Sequence, residues 1–185
     1  MRILAVSGSV RRDSLNTFLL RAAADAAPEN VELELWEGIG ELPIYDQDLE
    51  GGEVPAPVRR LRDDWEAADA ILFATPEYNG SVPGVLKNAV DWASRPKLAA
   101  ALTNRTVAVV GASEGQFGAL WAQGDLRKIL GVAGARVVGA ELPVARVHEK
   151  RDADGRLVDA ETSERLRETL ELLAAEAAFE PAQAA

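Results

Sequence analysis

Two segments of the sequence carry side chains that could bind a ligand. The first, SGSVRRDSLNTFLL over residues 7–20, places hydroxyl and amide groups around two adjacent arginines, directly before a predicted helix. Free N–H groups and the dipole at a helix start favour an anion, and hydroxyls and arginine can donate to phosphate oxygens. The segment has neither the GxGxxG nor the Walker A spacing. It is interpreted as a phosphate site, with a helix cap flanked by solvated charges as the alternative.

The second segment, TPEYNGSVPGVLKNAVDWASR over residues 75–95, combines turn residues with an acid and an aromatic. Asn79-Gly80 is a strong turn signal and Pro83 suits the first turn of a helix, but turn chemistry does not require Glu77 and Tyr78. Proline and tyrosine offer flat surfaces to a planar ring. Glycine lets the backbone approach closely, and an amide can donate to ring atoms. The segment is interpreted as the wall of a site for a planar heteroaromatic ligand.

The elements around these segments alternate between strand and helix. Short apolar runs predict strands at 3–6, 31–36, 70–75, 106–111 and 135–140. Helical periodicity predicts helices at 14–27, 55–68, 83–94, 118–131 and 160–178. Ser14 and Asp159 are the predicted N-caps, and Gly131 is the predicted C-terminal cap. This pattern predicts an α/β sheet with helices on both faces, with ligands beyond the carboxyl ends of strands one, three and four.

Composition limits the classes of function. The 185 residues suit one domain, expected over residues 1–178, with a disordered tail at 179–185. A formal net charge of -10 makes nucleic acid and anionic membranes poor partners. No cysteine is present, which removes thiolate metal sites and cysteine nucleophiles. The start of the chain is interpreted as a strand rather than a signal peptide, so a cytoplasmic location is expected. RDADG at 151–155 is interpreted as a turn.

Both ligand-binding segments resemble the signatures of one protein family. GSVRRDSLN (8–16) and PEYNGSVPGVLKNAVDWASR (76–95) are similar to the two motifs of the NAD(P)H-dependent FMN reductases, which include bacterial quinone, chromate and azo-dye reductases. The resemblance implies a flavodoxin-like three-layer sandwich, with a five-stranded parallel sheet of order 2-1-3-4-5. It also implies bound FMN, NADPH or NADH as hydride donor, and a homodimer or homotetramer.

The resemblance also implies roles for individual positions. The positions expected to hold the FMN phosphate are Ser9, Arg11, Ser14, Asn16 and Thr17. The positions expected to border the isoalloxazine ring are Pro76, Glu77, Tyr78, Asn79, Gly80 and Ser113. The chain departs from the family pattern at Gln116 and Phe117, and at Leu120 or Trp121, where an arginine is common.

The implied chemistry belongs to the flavin, and no catalytic side chain or metal site is expected. Hydride passes from NAD(P)H to the flavin and then, in a ping-pong scheme, electrons pass to a small-molecule acceptor. A quinone, chromate, an azo compound and free flavin all remain open as the acceptor. The alternatives are a flavodoxin-type electron carrier without NAD(P)H turnover and a flavin-free α/β interaction domain.

Overall fold

The computed structural model describes residues 1–50, 52–97 and 99–179, which form a parallel sheet between two layers of helices. Its strands are β1 (Arg2–Ser7), β2 (Glu32–Trp36), β3 (Ala70–Ala74), β4 (Thr106–Ala112), β5 (Arg136–Val137) and β6 (Leu142–Val144). Its α-helices are α1 (Leu15–Asp25), α2 (Ala56–Ala67), α3 (Gly84–Ala93), α4 (Leu120–Val132) and α5 (Ala160–Ala178). The strand order β2-β1-β3-β4-β5 confirms the predicted flavodoxin-like topology.

The central strands are buried on both faces because their sequences are continuous apolar runs. All five residues of β3 and all seven of β4 are buried. One face packs against α1 and α5, where Leu19 and Leu170 are fully covered. The other face packs against α2, α3 and α4, where Trp65 and Trp92 are fully covered. Helices therefore cover both faces, as predicted.

The last predicted strand, 135–140, is wrong beyond Val137. Gly139 adopts a φ of 68°, which is left-handed and breaks the strand. The Arg127 guanidinium donates to the carbonyls of Val138 at 3.2 Å and Gly139 at 2.6 Å, in place of a neighbouring strand. The chain returns to β4 at β6, so the sheet contains a sixth short strand that the sequence did not predict.

The ends of the helices test the predicted caps. The Ser14 hydroxyl accepts a hydrogen bond from the Thr17 amide at 3.1 Å, and the Asp159 carboxylate accepts one from the Thr162 amide at 2.9 Å. Both N-caps are therefore confirmed. The prediction for Gly131 is wrong, because α4 continues through it and Gly134, with a φ of 94°, turns the chain instead.

Two further predictions concern the ends of the chain and the RDADG segment. This segment is a turn, as predicted: the Gly155 amide donates to the Asp152 carbonyl at 3.1 Å, and the Arg156 amide donates to the Asp152 carboxylate at 2.7 Å. The predicted tail at 179–185 lies outside the described residues from position 180 onward. Within the described ranges, no helix combines the length and apolarity needed to cross a bilayer.

Candidate functional site

Three loops meet at the carboxyl ends of β1, β3 and β4. They are the first loop (residues 8–14), the second loop (75–83) and the third loop (113–119). A cavity of about 160 Å³, which we call the cleft, lies between them. Its lining includes Ser9, Arg11, Ser14, Asn16, Pro76, Glu77, Tyr78 and Ser113. The fold therefore brings together eight of the eleven positions predicted from sequence.

The first loop presents its donors at the start of α1. Ser14 is 6% exposed, and its hydroxyl oxygen accepts the Thr17 amide, which leaves the hydroxyl hydrogen available to a ligand. The Ser9 hydroxyl oxygen accepts the Arg11 amide at 3.3 Å, so it too keeps its hydrogen. The Arg11 side chain is exposed at the edge of the cleft. This arrangement of hydroxyls, guanidinium and helix start can bind an anion.

Asn16 and Thr17 make internal contacts instead of pointing freely into the cleft. The Asn16 amide is 2% exposed; its oxygen accepts the Ala112 N–H at 2.9 Å and its nitrogen donates to the Ala112 carbonyl at 3.1 Å. Asn16 thus ties the start of α1 to the end of β4, and one amide hydrogen remains for a ligand. The Thr17 hydroxyl donates to Ser7 at 2.8 Å, and Thr17 lines a neighbouring cavity rather than the cleft. Their roles as phosphate donors stay predictions.

The second loop is a two-residue hairpin turn. Tyr78 and Ser81 exchange backbone hydrogen bonds at 3.1 Å, while Asn79 and Gly80 adopt φ values of 53° and 75°. These positive values are the reason that Asn-Gly is favoured here. Asn79 and Gly80 are exposed and do not line the cleft, whereas Tyr78, which is 51% exposed, does.

Glu77, which turn chemistry left unexplained, anchors the second loop to α4. Its carboxylate accepts the Ala122 amide at 3.1 Å, in the first turn of the helix, where the N–H groups have no partner within the helix. A second contact also joins the loop to α4: the Ser81 hydroxyl donates to the Asp125 carboxylate at 2.6 Å. Two hydrogen bonds therefore join the second loop to the first half of α4.

The third loop is held by a buried glutamine that the sequence analysis missed. Gln123 is completely buried; its nitrogen donates to the Gly118 carbonyl at 3.0 Å and its oxygen accepts the Leu142 amide at 2.9 Å. No local signal marks this residue, because its partners lie in another loop and another strand. Phe117 and Trp121 are about half exposed nearby, with ring centroids 4.7 Å apart.

Comparison with known proteins places the chain in a family. The family described as NADPH-dependent FMN reductase matches residues 1–149. The chain belongs to this family. Membership confirms the predicted class, an oxidoreductase that depends on FMN and NAD(P)H, and it confirms the family resemblance of the two motifs.

Individual members of the FMN reductase family resemble this chain in length and fold. The chain is 38% identical over 174 residues to an NAD(P)H-dependent FMN reductase of Pseudomonas aeruginosa, which covers 94% of this chain and 93% of the relative. It is 36% identical over 176 residues to a 2-hydroxy-1,4-benzoquinone reductase of Burkholderia sp, covering 95% of each. FerB, a flavoenzyme NAD(P)H:(acceptor) oxidoreductase from Paracoccus denitrificans, superimposes with a TM-score of 0.84 at 36% identity, covering 96% and 97%.

The residues of the cleft fit a flavin mononucleotide. One side offers two hydroxyls, a guanidinium and the start of α1, which suit a phosphate dianion. The opposite side offers Pro76 and the exposed ring of Tyr78, which suit the edge or face of a flat heterocycle. The two chemistries lie on different loops of one cleft, as a ligand with a phosphate at one end and a ring at the other requires.

Proposed function

We propose that this protein binds FMN in the cleft and transfers hydride from NADPH or NADH to a small-molecule acceptor. The observation that carries the proposal is the meeting of Ser9, Arg11 and Ser14 with Pro76 and Tyr78 in one cavity. Family membership supports the same chemistry. A flavodoxin-type carrier would bind the same cofactor without turning over NAD(P)H, and the experiment below separates the two.

We assign each loop a part in holding the cofactor. Ser9, Arg11 and Ser14 bind the phosphate. Pro76 and Tyr78 border the ring from the second loop, and Ser113 borders it from the third. Asn16 and Thr17 complete the phosphate site at the start of α1, and Glu77, Asn79 and Gly80 border the ring from the second loop, whose position Glu77 sets through Ala122.

Bound FMN supplies the chemistry of accepting a hydride and releasing electrons. The protein contributes orientation, a partly open site and a fixed pair of loops. The Glu77 carboxylate accepts a hydrogen bond from the Ala122 amide, so Glu77 positions a loop rather than moving a proton. We propose a ping-pong order, in which the nicotinamide leaves before the acceptor enters, so that the two occupy the site beside the exposed Tyr78 in turn.

A quinone is the acceptor that the relatives favour. Pseudomonas putida has a quinone reductase that is 42% identical to this chain over 128 residues, and an NADPH:quinone oxidoreductase of Arabidopsis thaliana is 40% identical over 177 residues. Chromate, azo compounds and free flavin remain the other candidates in an acceptor panel.

The proposal extends to the organisation of the protein. Residues 1–178 act as one FMN-binding domain that assembles as a homodimer or homotetramer. The exposed apolar group of Phe117, Leu120 and Trp121 beside the cleft supports such an interface. A cytoplasmic location completes the proposal, since the chain has no cysteine and therefore needs no oxidising compartment.

The test is anaerobic mixing of the FMN-loaded protein with NADPH or NADH, followed by the loss of the visible flavin absorbance. Rapid bleaching, and return of the colour on adding a quinone, are expected. A protein that holds FMN but does not bleach is a carrier, and a protein that never takes up FMN contradicts the proposal as a whole.

Two variants link the activity to the cleft. Arg11→Ala should weaken FMN binding by about tenfold or more, because it removes a charge-assisted contact to phosphate. Tyr78→Ala should weaken FMN retention or slow the bleaching without unfolding the protein. Arg59→Ala removes an exposed arginine from α2 and serves as the control. If Tyr78→Ala binds and turns over FMN like Arg59→Ala, the second loop is only a turn, and if Arg11→Ala also does so, the cleft does not hold the cofactor.

A further inference from the structure

A second cavity, of about 400 Å³, adjoins the cleft between α1 and the turn at residues 151–157. Four arginines line it: Arg12 from the first loop, Arg21 from α1, and Arg151 and Arg156 from the turn. We call this cavity the arginine groove. Its volume lies in the range typical of sites for small organic ligands. The arginines come from two segments that are distant in sequence, residues 12–21 and 151–156, and the fold brings these segments together.

The positive charge of the groove is not neutralised by ion pairs. Asp13 and Asp25 also line it, so four guanidinium groups face two carboxylates in a chain of net charge -10. Across residues 1–50, 52–97 and 99–179, none of the four arginines makes an ion pair. Other arginines, such as Arg127 and Arg167, do pair with glutamates.

The exposed side chain of Arg151 packs against two neighbours. Its guanidinium carbon lies 5.2 Å from the centroid of the Phe18 ring. On the other side it packs against Gly155, where an added Cβ would lie 2.8 Å from Arg151 Nη2. Gly155 has a φ of 79°, which the turn requires. A guanidinium that is already positioned loses less conformational freedom when it binds an anion.

The groove and the cleft are neighbours. Ser14 lines both, and the adjacent residues Arg11 and Arg12 divide between them, with Arg11 in the cleft and Arg12 in the groove. The two cavities therefore lie next to each other at the start of α1. An anion at the Arg12 end of the groove would lie near the start of α1, where the helix dipole favours negative charge.

We propose that the arginine groove binds a phosphate monoester dianion. Arginine presents a planar fork of donors that matches phosphate oxygens, and several arginines around one cavity favour a doubly charged group. The chemistry fits two sources: the 2′-phosphate of NADPH, or a separate small phosphorylated metabolite. Only the first source rests on the proposed function, because it requires NADPH to bind at the cleft.

The binding experiment is calorimetric titration of adenosine 2′-monophosphate into the protein saturated with FMN, at low ionic strength, with adenosine as the uncharged control. The wild-type protein should bind the monoester and not adenosine. The double variant Arg151→Ala/Arg156→Ala should raise the Kd for the monoester by tenfold or more, and a tenfold change corresponds to about 1.4 kcal/mol of binding free energy. Arg59→Ala/Arg60→Ala removes the same charge from α2, on the opposite face of the sheet, and should leave Kd within about twofold.

The source is decided by steady-state kinetics with both nicotinamides. If the groove holds the 2′-phosphate, the groove variant should raise KM for NADPH by about tenfold and KM for NADH by less than about twofold. Weaker monoester binding with both KM values unchanged supports the separate metabolite.

The inference is overturned if the wild-type protein does not bind the monoester, or if the groove variant and the control variant bind it equally. A circular dichroism spectrum of each variant shows that loss of binding is not loss of fold. Absence of flavin reduction by either nicotinamide would contradict the proposed function but leave the titration unaffected, so the two failures can be told apart.

Discussion

Asn16 shows how a residue next to a ligand site can be needed for the fold. Its amide pairs with both backbone groups of Ala112, 96 residues away, inside the core. A buried backbone group left without a partner costs the desolvation of that group. Asn16 therefore fixes the distance between the first loop and the third loop, and with it the width of the cleft.

Asn16→Ala should lower the free energy of unfolding by about 2–4 kcal/mol, because it leaves the Ala112 N–H and carbonyl unpaired and opens a small cavity. Urea denaturation measures this change. Gln116→Ala truncates an exposed amide in the third loop and should change stability by less than about 0.5 kcal/mol. A loss below about 1 kcal/mol for Asn16→Ala would mean that water replaces the amide without cost.

Asp159 gives the protein a pH-dependent contribution to stability. Hydrogen bonds from Lys150, and then from Thr162, lower the pKa of its carboxyl group from 3.8 to about 2. A pKa lowered by folding stabilises the protein above the unfolded pKa, and this stability is lost as pH falls through the folded pKa. The relevant window therefore runs from about pH 4 down to about pH 2.

Asp159→Asn keeps an N-cap acceptor but removes the charge, so it isolates this contribution. The wild type should be more stable by about 1–2 kcal/mol at neutral pH, with solvent screening keeping the difference small. The difference should shrink between pH 4 and pH 2. Thermal unfolding across this range measures it, with Asp154→Asn at the exposed turn as control. A difference that stays constant down to pH 2 would contradict the assigned pKa.

At the scale of elements, two glycines near the start of α4 have opposite requirements. Gly118 has a φ of 56°, and a Cβ there would lie 2.6 Å from the Val144 backbone nitrogen. Gly124 lies on an exposed face inside α4, with nothing within 4 Å of an added Cβ. The first glycine permits a close approach between backbones, whereas the second only weakens the helix.

Gly118→Ala should lower the free energy of unfolding by more than about 2 kcal/mol, because the backbone of β6 cannot move away easily and a left-handed φ strains alanine. Gly124→Ala should raise it by about 0.5–1 kcal/mol through helix propensity. Chemical denaturation of both variants tests the pair. Similar effects of the two substitutions would mean that the approach of the third loop to β6 is not required.

The elements that sequence predicted well are those whose signal is local. The apolar runs of β1, β3 and β4 and the caps at Ser14 and Asp159 depend on neighbouring residues. The errors came from distant contacts. The predicted last strand ends early where the Arg127 guanidinium donates to its carbonyls. Helix α4 begins at Leu120, later than predicted, because Gly118 packs against β6.

The candidate site also combines features that have a local sequence signal with features that depend on distant contacts. The two motifs predicted that the first and second loops meet. Each motif follows a strand of the parallel sheet, and the carboxyl ends of neighbouring strands lie at the same edge. They did not predict that Glu77 anchors a helix, that Gln123 fixes the third loop, or that four arginines converge. Each of these depends on residues brought together from separate parts of the chain.

At the scale of the whole molecule, the net charge and the local groups of arginines have opposite effects on anions. The net charge of -10 repels anions at long range, while the arginines of the first loop and groove attract them at short range. Salt screens the first effect more than the second. The exposed aromatic pair of Phe117 and Trp121 is instead an apolar surface, and the proposed homo-oligomer would form through it.

If the homo-oligomer forms through this surface, Phe117→Ser/Trp121→Ser should shift the protein towards a monomer. Light scattering after size-exclusion chromatography measures the mass. Val132→Ser, at the other end of α4 and 84% exposed, is the matched control and should not change the mass. A wild-type protein that is monomeric at micromolar concentration would contradict the proposed assembly.

The interruption of the last strand has a consequence for how the protein behaves in a crowded solution. A free sheet edge is a template on which other chains can add strands and aggregate. Here one edge consists of two short strands, β5 with two residues and β6 with three, which are separated where the chain turns away at Gly139. The opposite edge, β2, carries the exposed side chains of Glu32 and Glu34, and charged side chains on an edge strand disfavour pairing with a second copy, although Glu34 also pairs with Arg2. Both borders of the sheet therefore resist intermolecular strand addition.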